Sequence, residues 1–220
     1  MTSYESVVQS IEPDLDMFQA FDGLVYPPRE DTSLMLDAID LQKNFLSGMR
    51  RWIEVGVGSG TVIVSLAHYF GQRQDSEFWG VDINEKALEC ANIHAETAGV
   101  TVNLRKSDLF AEISDKKFDV VIFNPPYVPS ATDEVNIGDL TSAWNGGTNG
   151  TDTTFRFLNS LPQVLTENGI CYLVVLKENK PKQLKRYIAE ELGLKCTVVI
   201  KRKVGYEKLY IFKISGINPT

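Results

Sequence analysis

Phe123-Asn124-Pro125-Pro126-Tyr127-Val128-Pro129 carries the most specific chemistry in this 220-residue chain. It follows a continuous apolar run, Phe118–Phe123, of the kind expected for a strand buried on both faces. A planar NH2 group, in an amide or in adenine, is a poor nucleophile because its lone pair is delocalised. Two acceptors that hold its two hydrogens can aim the nitrogen at an electrophile. The side-chain oxygen of Asn124 is one such acceptor and the backbone carbonyl of Pro125 is the other. Pro125-Pro126 stiffens the backbone that does the aiming, and Tyr127 can stack on the planar group. Catalysis of this kind works by positioning and preorganised dipoles. No strong base is needed first, because the ammonium-like product can lose its proton to water. The plain alternative is a rigid loop leaving a buried strand.

A second segment supplies a candidate electrophile site. Glu54-Val55-Gly56-Val57-Gly58-Ser59-Gly60 is an acid followed by alternating glycines. No lysine follows the last glycine, so it is not a P-loop, and the glycine spacing is not that of dinucleotide enzymes. S-adenosylmethionine carries a sulfonium, an amino group and a carboxylate, but no phosphate, and it suits such a loop. Glu54 is placed to meet the amino group, directly or through water, while the backbone at Gly56 and Gly58 flanks the methionine part. A purely structural glycine turn is the alternative. Asp82, in Gly80-Val81-Asp82-Ile83-Asn84, can accept two hydrogen bonds from a ribose diol. That device also serves nicotinamide enzymes, so it indicates a ribose and not which cofactor. Asp108 can bind an adenine amino group, with Leu109 packing on the ring. Ala143–Gly150 contains Trp144, the pair Gly146-Gly147 and Gly150, and reads either as a substrate-facing loop or as a plain surface loop.

These residues need elements that end side by side. The sequence predicts strands over Arg51–Val57, Glu77–Asp82, Thr101–Arg105, Phe118–Phe123 and Gly169–Lys177, then a hairpin of Leu194–Lys203 and Glu207–Ile214. Helices are expected over Thr61–Phe70, from an Asn84 cap to about Ala98, over Asp152–Leu165 (kinked or ended by Pro162) and over Pro181–Leu192. Alternation of this kind implies an α/β fold with a doubly wound, mostly parallel sheet and one antiparallel strand from the hairpin. Ligands on such sheets sit outside the C-terminal strand ends. Glu54 and Asp82 lie near the ends of predicted strands, and Asp108 and Asn124 come just after theirs.

Bulk properties narrow the class. Apolar residues make up 43% and charged residues 23%, an ordinary globular balance. No apolar run approaches the roughly 18 residues of a membrane span. Met1–Asp22 carries acids and no basic stretch, unlike a secretory or transit leader. Three scattered cysteines (Cys90, Cys171, Cys196) fit a reducing compartment, and with only two histidines, His68 and His94, no metal site is expected. A cytoplasmic location is expected, with the nucleus also open. Net charge is −7, which disfavours a grip on nucleic acid backbones. A basic cluster near the C-terminus (Lys195, Lys201, Arg202, Lys203, Lys208) reads as a solvated sheet face.

The motifs together resemble the HemK-type protein-(glutamine-N5) methyltransferases, nearest to the eukaryotic and archaeal branch that acts on the class I release factor. The resemblance runs from about Val25 to Lys213. It is carried by Val25-Tyr26-Pro27-Pro28-Arg29-Glu30-Asp31-Thr32, the Glu54 glycine loop, Val81-Asp82-Ile83-Asn84, Asn124–Val128, Ala143–Gly150 and Lys177-Glu178-Asn179. It implies a class I Rossmann-like domain over 51–220 with a seven-stranded sheet, and a 1–50 extension folded over the donor. It implies S-adenosylmethionine as donor and S-adenosylhomocysteine as product. Donor contacts are implied from Tyr26, Thr32, Glu54, Gly56, Gly58, Asp82, Ile83, Asp108, Leu109 and Asn124. Substrate contacts are implied from Asn124, Pro125, Pro126 and Tyr127, with Asn124, Pro125 and Tyr127 as the catalytic set.

The implied substrate is the glutamine of a release factor's Gly-Gly-Gln loop, and the implied partner is a small zinc-binding activator subunit pairing at the sheet edge near Thr101–Arg105. Val100 and Val102 would leave that edge apolar and in need of a cover. Val57 stands where family members often have a small residue, and is expected to point into the core. Residues 1–50 are too few for the helical N-terminal domain of the bacterial relatives. The same loop chemistry also serves adenine-N6 methylation of DNA or RNA, against which the acidic balance speaks. A lysine acceptor, as in a histone tail, would need a base that the sequence does not offer. A scaffold without activity would not need Glu54, Asp82 and Asn124 together.

Overall fold

The computed structural model describes residues 8–72, 75–126 and 152–216. Within them the apolar runs form one sheet of β1 (Arg51–Val55), β2 (Glu77–Asp82), β3 (Asn103–Lys106), β4 (Phe118–Phe123), β5 (Leu165–Leu176), β6 (Lys195–Val204) and β7 (Glu207–Ser215). Their order is β3-β2-β1-β4-β5-β7-β6. Strands β1 to β5 run parallel, and β7 alone runs against both its neighbours. This is the expected doubly wound sheet with its closing hairpin.

The helices are α1 (Leu15–Ala20), α2 (Glu30–Asp40), α3 (Lys43–Leu46), α4 (Thr61–Phe70), α5 (Glu85–Thr97), α6 (Asp152–Val164) and α7 (Pro181–Glu190). Alternate strand residues face opposite layers. Trp52 and Tyr172 join Leu34 and Ile39 of α2 and Ile63 and Leu66 of α4 in one core. Ile53 and Val121 join Phe157 and Leu161 of α6 and Leu184 and Ile188 of α7 in the other. The stretch before β1 is stitched to this body. Val8 donates its N–H to Asp40, Ile11 donates to Ser65 Oγ, and Asn84 Nδ2 donates to the Leu24 carbonyl.

Several boundaries differ from the sequence expectation. β1 stops at Val55, not Val57, because Gly56 turns the chain with φ of +68°. The third strand is Asn103–Lys106 and not Thr101–Arg105, since it aligns with Trp79–Asp82 at the C-terminal part of β2. Val100 and Val102 are half-buried against the core, so the β3 edge is not the apolar surface expected of it. α6 accommodates Pro162 and ends two residues later. α7 ends at Glu190, short of Leu192, before Gly193 at φ of +62°. Asn84 caps α5 as expected, accepting from the Lys86 N–H at 2.9 Å. All three cysteines are buried and free, and Cys171 and Cys196 flank Ile214 from opposite sides of β7.

Candidate active site

Parallel strands deliver their ends to one rim of the sheet. Glu54 is the penultimate residue of β1, Asp82 is the last of β2, Asp108 lies two residues beyond β3, and Asn124 directly follows β4. The residues predicted from four separate loops are therefore gathered along one edge, where ligands of such folds bind.

The glycine loop is held from below and from the side. Gly56, Gly58 and Gly60 take φ of +68°, +51° and +79°, a region other residues rarely occupy. The Gly56 and Val57 N–H groups donate to the Val81 carbonyl at 2.8 and 3.0 Å. Asp82 accepts from the Gly58 N–H at 3.0 Å and from the Asn84 N–H at 2.9 Å, so its carboxylate ties the loop to the start of α5. A Cβ on Gly60 would lie 3.0 Å from the Ala91 Cβ, so this glycine lets α4 and α5 approach. Buried His94 presents Nδ1 to the Ser59 carbonyl at 3.1 Å, which requires the proton on Nδ1.

Glu54 is buried and accepts from the Ile63 N–H in the first turn of α4 at 2.9 Å. Burial pushes its carboxyl up to about 8, opposed by the Ile63 hydrogen bond and reinforced by the nearby Asp82 charge. Burial also raises Asp82, against the hydrogen bonds it accepts from backbone amides. Among the described residues no ion pair engages either carboxylate. Two partly desolvated acids beside an open glycine loop make a site that favours a cationic, hydroxyl-bearing ligand. The residues present thus fit a donor with an amino group and a ribose.

The Asn124 amide is fixed in orientation. Its Nδ2 donates to Asp31 Oδ2 at 2.9 Å, and only the NH2 side of the amide can face a carboxylate. Its Oδ1 is buried and has no hydrogen-bond partner among the described residues. Buried acceptors are rarely left so, and an orphan at a strand end marks a place for a donor from elsewhere. Asp31 is itself 2% exposed and also accepts from the Tyr26 hydroxyl at 3.2 Å and the Thr32 N–H at 2.7 Å. In the sequence Asp31 stands inside the Val25–Thr32 motif with no role that its type or spacing assigns. An acid in the first turn of a helix ordinarily reads as a dipole partner, which hid it.

The other predicted residues fall as follows. A Cβ at Gly58 would lie 3.9 Å from the Tyr26 carbonyl, so the N-terminal segment does reach the glycine loop. Thr32 closes the start of α2, accepting from the Arg29 N–H at 3.2 Å. Ile83 is half-buried between Asp82 and Asn84, and Pro125 is buried beside half-buried Pro126. Leu109 adopts φ of +52°, with its carbonyl accepting from the Ser107 hydroxyl at 2.9 Å. Asp108 pairs with Arg156 of α6 at 2.6 Å, so one of its oxygens is already engaged. Tyr127 and the Ala143–Gly150 loop lie outside the described residues.

A family model described as Methyltransferase small domain matches residues 30–140, which takes in both Asp31 and Asn124. The chain is 35% identical to Methyltransferase HEMK2 of Homo sapiens over 87% of its own length and 89% of that protein's. It belongs to the HemK-type methyltransferases. Another relative of this type, the eRF1 methyltransferase catalytic subunit mtq2 of Schizosaccharomyces pombe, is 30% identical over 89% of the chain and 91% of its own length. Among solved structures, the Mtq2–Trm112 complex of E. cuniculi, described as responsible for methylation of the eRF1 translation termination factor, superposes with a TM-score of 0.66. That match has 29% identity and covers 87% of this chain and 98% of the other. A HemK-type methyltransferase thus has its Asn-Pro-Pro segment, glycine loop and the Tyr26–Asp31 segment on one rim.

Proposed function

We propose that the chain transfers a methyl group from S-adenosylmethionine to the side-chain amide nitrogen of a glutamine in a release factor, leaving S-adenosylhomocysteine. The observation that carries this reading is the locked Asn124 amide with its orphaned, buried Oδ1. The two relatives whose descriptions mention eRF1 support the substrate class.

S-adenosylmethionine, when bound, supplies an electrophilic methyl group on its sulfonium. Glu54 takes the donor's amino group, and in doing so becomes ionised. Asp82 accepts from the ribose hydroxyls with lone pairs not used by Gly58 and Asn84. The backbone at Gly56 and Gly58 flanks the methionine part, with Tyr26 and Thr32 closing over it. Ile83, Asp108 and Leu109 line the adenine side. Asn124 Oδ1 and the Pro125 carbonyl accept the two amide hydrogens of the substrate glutamine and aim its nitrogen, and Tyr127 stacks on the amide plane. The methylated nitrogen then gives a proton to water.

The catalytic chain works as one half of a heterodimer. Its β3 is an edge strand whose outer backbone groups face no strand among the described residues, and Ile93 on neighbouring α5 is 37% exposed. A small zinc-binding activator covers this edge near Thr101–Arg105 by adding to the sheet, a mode in which main-chain hydrogen bonds supply the affinity.

The deciding experiment is mass spectrometry of a release factor after incubation with donor, chain and activator. A gain of one methyl on the Gly-Gly-Gln glutamine is expected. Methylation of an adenine oligonucleotide or a histone-tail lysine, with none on the release factor, would overturn the assignment.

A further inference from the structure

We propose that the tip of the β6–β7 hairpin is the surface on which an acidic face of the protein substrate docks. This rests on the methyl-transfer reading above and adds to it the place where the substrate is held.

The chain carries a net charge of −7, yet the segment 201–208 holds Lys201, Arg202, Lys203 and Lys208 against one acid, Glu207. The structure divides the basic cluster seen in the sequence. Lys195 pairs with Ser215 at the far end of β6, away from the catalytic rim. Arg202 turns to α2 and is engaged by Asp37 at 2.5 Å. The remaining three lysines gather on the opposite face. Lys201 lies across from Tyr210 and Lys203 across from Lys208, so strand alternation puts all four residues on one side. The Lys208 ammonium sits 5.7 Å over the Tyr210 ring. Among the described residues no ion pair engages Lys201, Lys203 or Lys208.

Like charges directly opposite in a hairpin destabilise it. The Lys203–Lys208 pair therefore works against the fold. Tyr206, at the turn, is fully exposed. A cationic face with an aromatic at its end and an internal repulsion is what an anionic partner would relieve.

Its location points to the substrate. Leu176, at the end of β5, pairs with Leu209 of β7, and Leu209 pairs with Arg202. The hairpin tip thus leaves the sheet at the rim where β4 delivers Asn124. A groove lined by Pro27, Pro28, Arg29, Ser33 and Arg202 runs on the α2 side of the hairpin, the face opposite the three lysines. The same groove carries Glu12 and Glu30. Those acids would repel carboxylates as well as phosphates, which leaves the lysine face as the side an acidic partner can approach. Lysines are point charges on flexible stems and can meet carboxylates of varied geometry.

The test compares two substrates, an intact release factor and a short peptide containing its Gly-Gly-Gln segment, with the chain in its activator complex. In the variant carrying Lys201→Glu, Lys203→Glu and Lys208→Glu, KM for the intact factor should rise about tenfold or more while kcat and the peptide rate stay unchanged. Added salt should raise KM for the parent protein and leave the variant's KM level. The single change Lys203→Ser should raise Tm, by removing the like-charge pair, and still raise KM; that combination guards against a triple variant that folds poorly. An unmoved KM, or an equal loss on the peptide, would overturn docking at the hairpin. So would loss of binding to a single-stranded RNA probe with KM unmoved, which would assign the face to RNA. A parent protein inactive on the release factor would sink the methyl-transfer reading itself.

Discussion

Asp31 and Asn124, 93 positions apart in the chain, meet in a hydrogen bond of 2.9 Å that fixes which end of the asparagine amide faces the site. A free asparagine amide can flip, and half its orientations would present NH2 where an acceptor is needed. The carboxylate removes that freedom before any substrate arrives, which is preorganisation in the sense that lowers barriers.

Replacing Asp31 with Asn removes the charge and lets the two amides pair in either sense. We expect kcat to fall roughly tenfold to a hundredfold, with less change in donor KM. Asn124→Ala removes the acceptor and should cost roughly a hundredfold or more. Single-turnover kinetics with saturating donor separates the two effects. Near-parental turnover in Asp31→Asn would show that the Asn124 amide is oriented by something else.

Glu54 should link pH to both stability and donor binding. Burial raises its carboxyl from 4.5 to about 8, so the folded chain holds this proton more tightly than the unfolded chain. The stability from that proton is complete below pH 4.5 and is lost as pH rises towards 8. The Tm of the donor-free chain should therefore decline across that window, and Glu54→Gln should flatten the decline. A donor amino group reverses the preference and expels the proton. Calorimetry near pH 7 in buffers of different ionisation enthalpy should detect proton release on binding, absent in Glu54→Gln. The variant should bind the donor about tenfold or more weakly, the range of a lost charged hydrogen bond. An unchanged Kd would remove Glu54 from the donor site.

Val57 and Gly80 are matched. A Cβ on Gly80 would fall 2.8 Å from Val57 Cγ2 and 2.7 Å from Leu104 Cδ2. Gly80→Ala should destabilise the fold by about 1–3 kcal/mol through overpacking. Combining it with Val57→Ala should return part of that loss. Chemical denaturation of the four-membered cycle measures the coupling, and strict additivity would contradict the contact.

The Asp108–Arg156 pair is about half exposed on both sides, so its contribution to stability should be below ~1 kcal/mol. If Asp108 serves the donor's adenine, Asp108→Ala weakens donor binding while Arg156→Ala leaves it unchanged or tighter. Weakening by both to the same extent would make the ion pair, and not the carboxylate, the functional unit.

The strands and most helices were legible because their apolar periodicity is a local property. Glu77–Asp82, Phe118–Phe123 and Thr61–Phe70 have the bounds the sequence predicts. Where the strand ended on a glycine of positive φ, or paired one step along as β3 does, the boundary depended on a neighbour that local pattern does not encode. The candidate site was legible as a set of strand ends, since Glu54, Asp82, Asp108 and Asn124 each lie at or just beyond the end of a strand. Asp31 was not, because its partner is distant in sequence and its helix-start position has an ordinary explanation. Nor was the Arg156 contact, or the division of the basic cluster between the two rims. Each depends on register and on which face of a strand looks outward.

The long separation of Asp31 from Asn124 also orders events during synthesis. Residues between Val8 and Thr32 find their partners at Asp40 and Ser65 early in synthesis, at Asn84 later, and at Asn124 last. A contact of that separation closes late and is among the slower ones to form. The Asn124 amide is thus oriented only after the sheet through β4 has assembled. A truncated or stalled nascent chain holding the glycine loop alone would carry the outline of a donor site but no oriented asparagine, so partial products of translation would be inert toward glutamine.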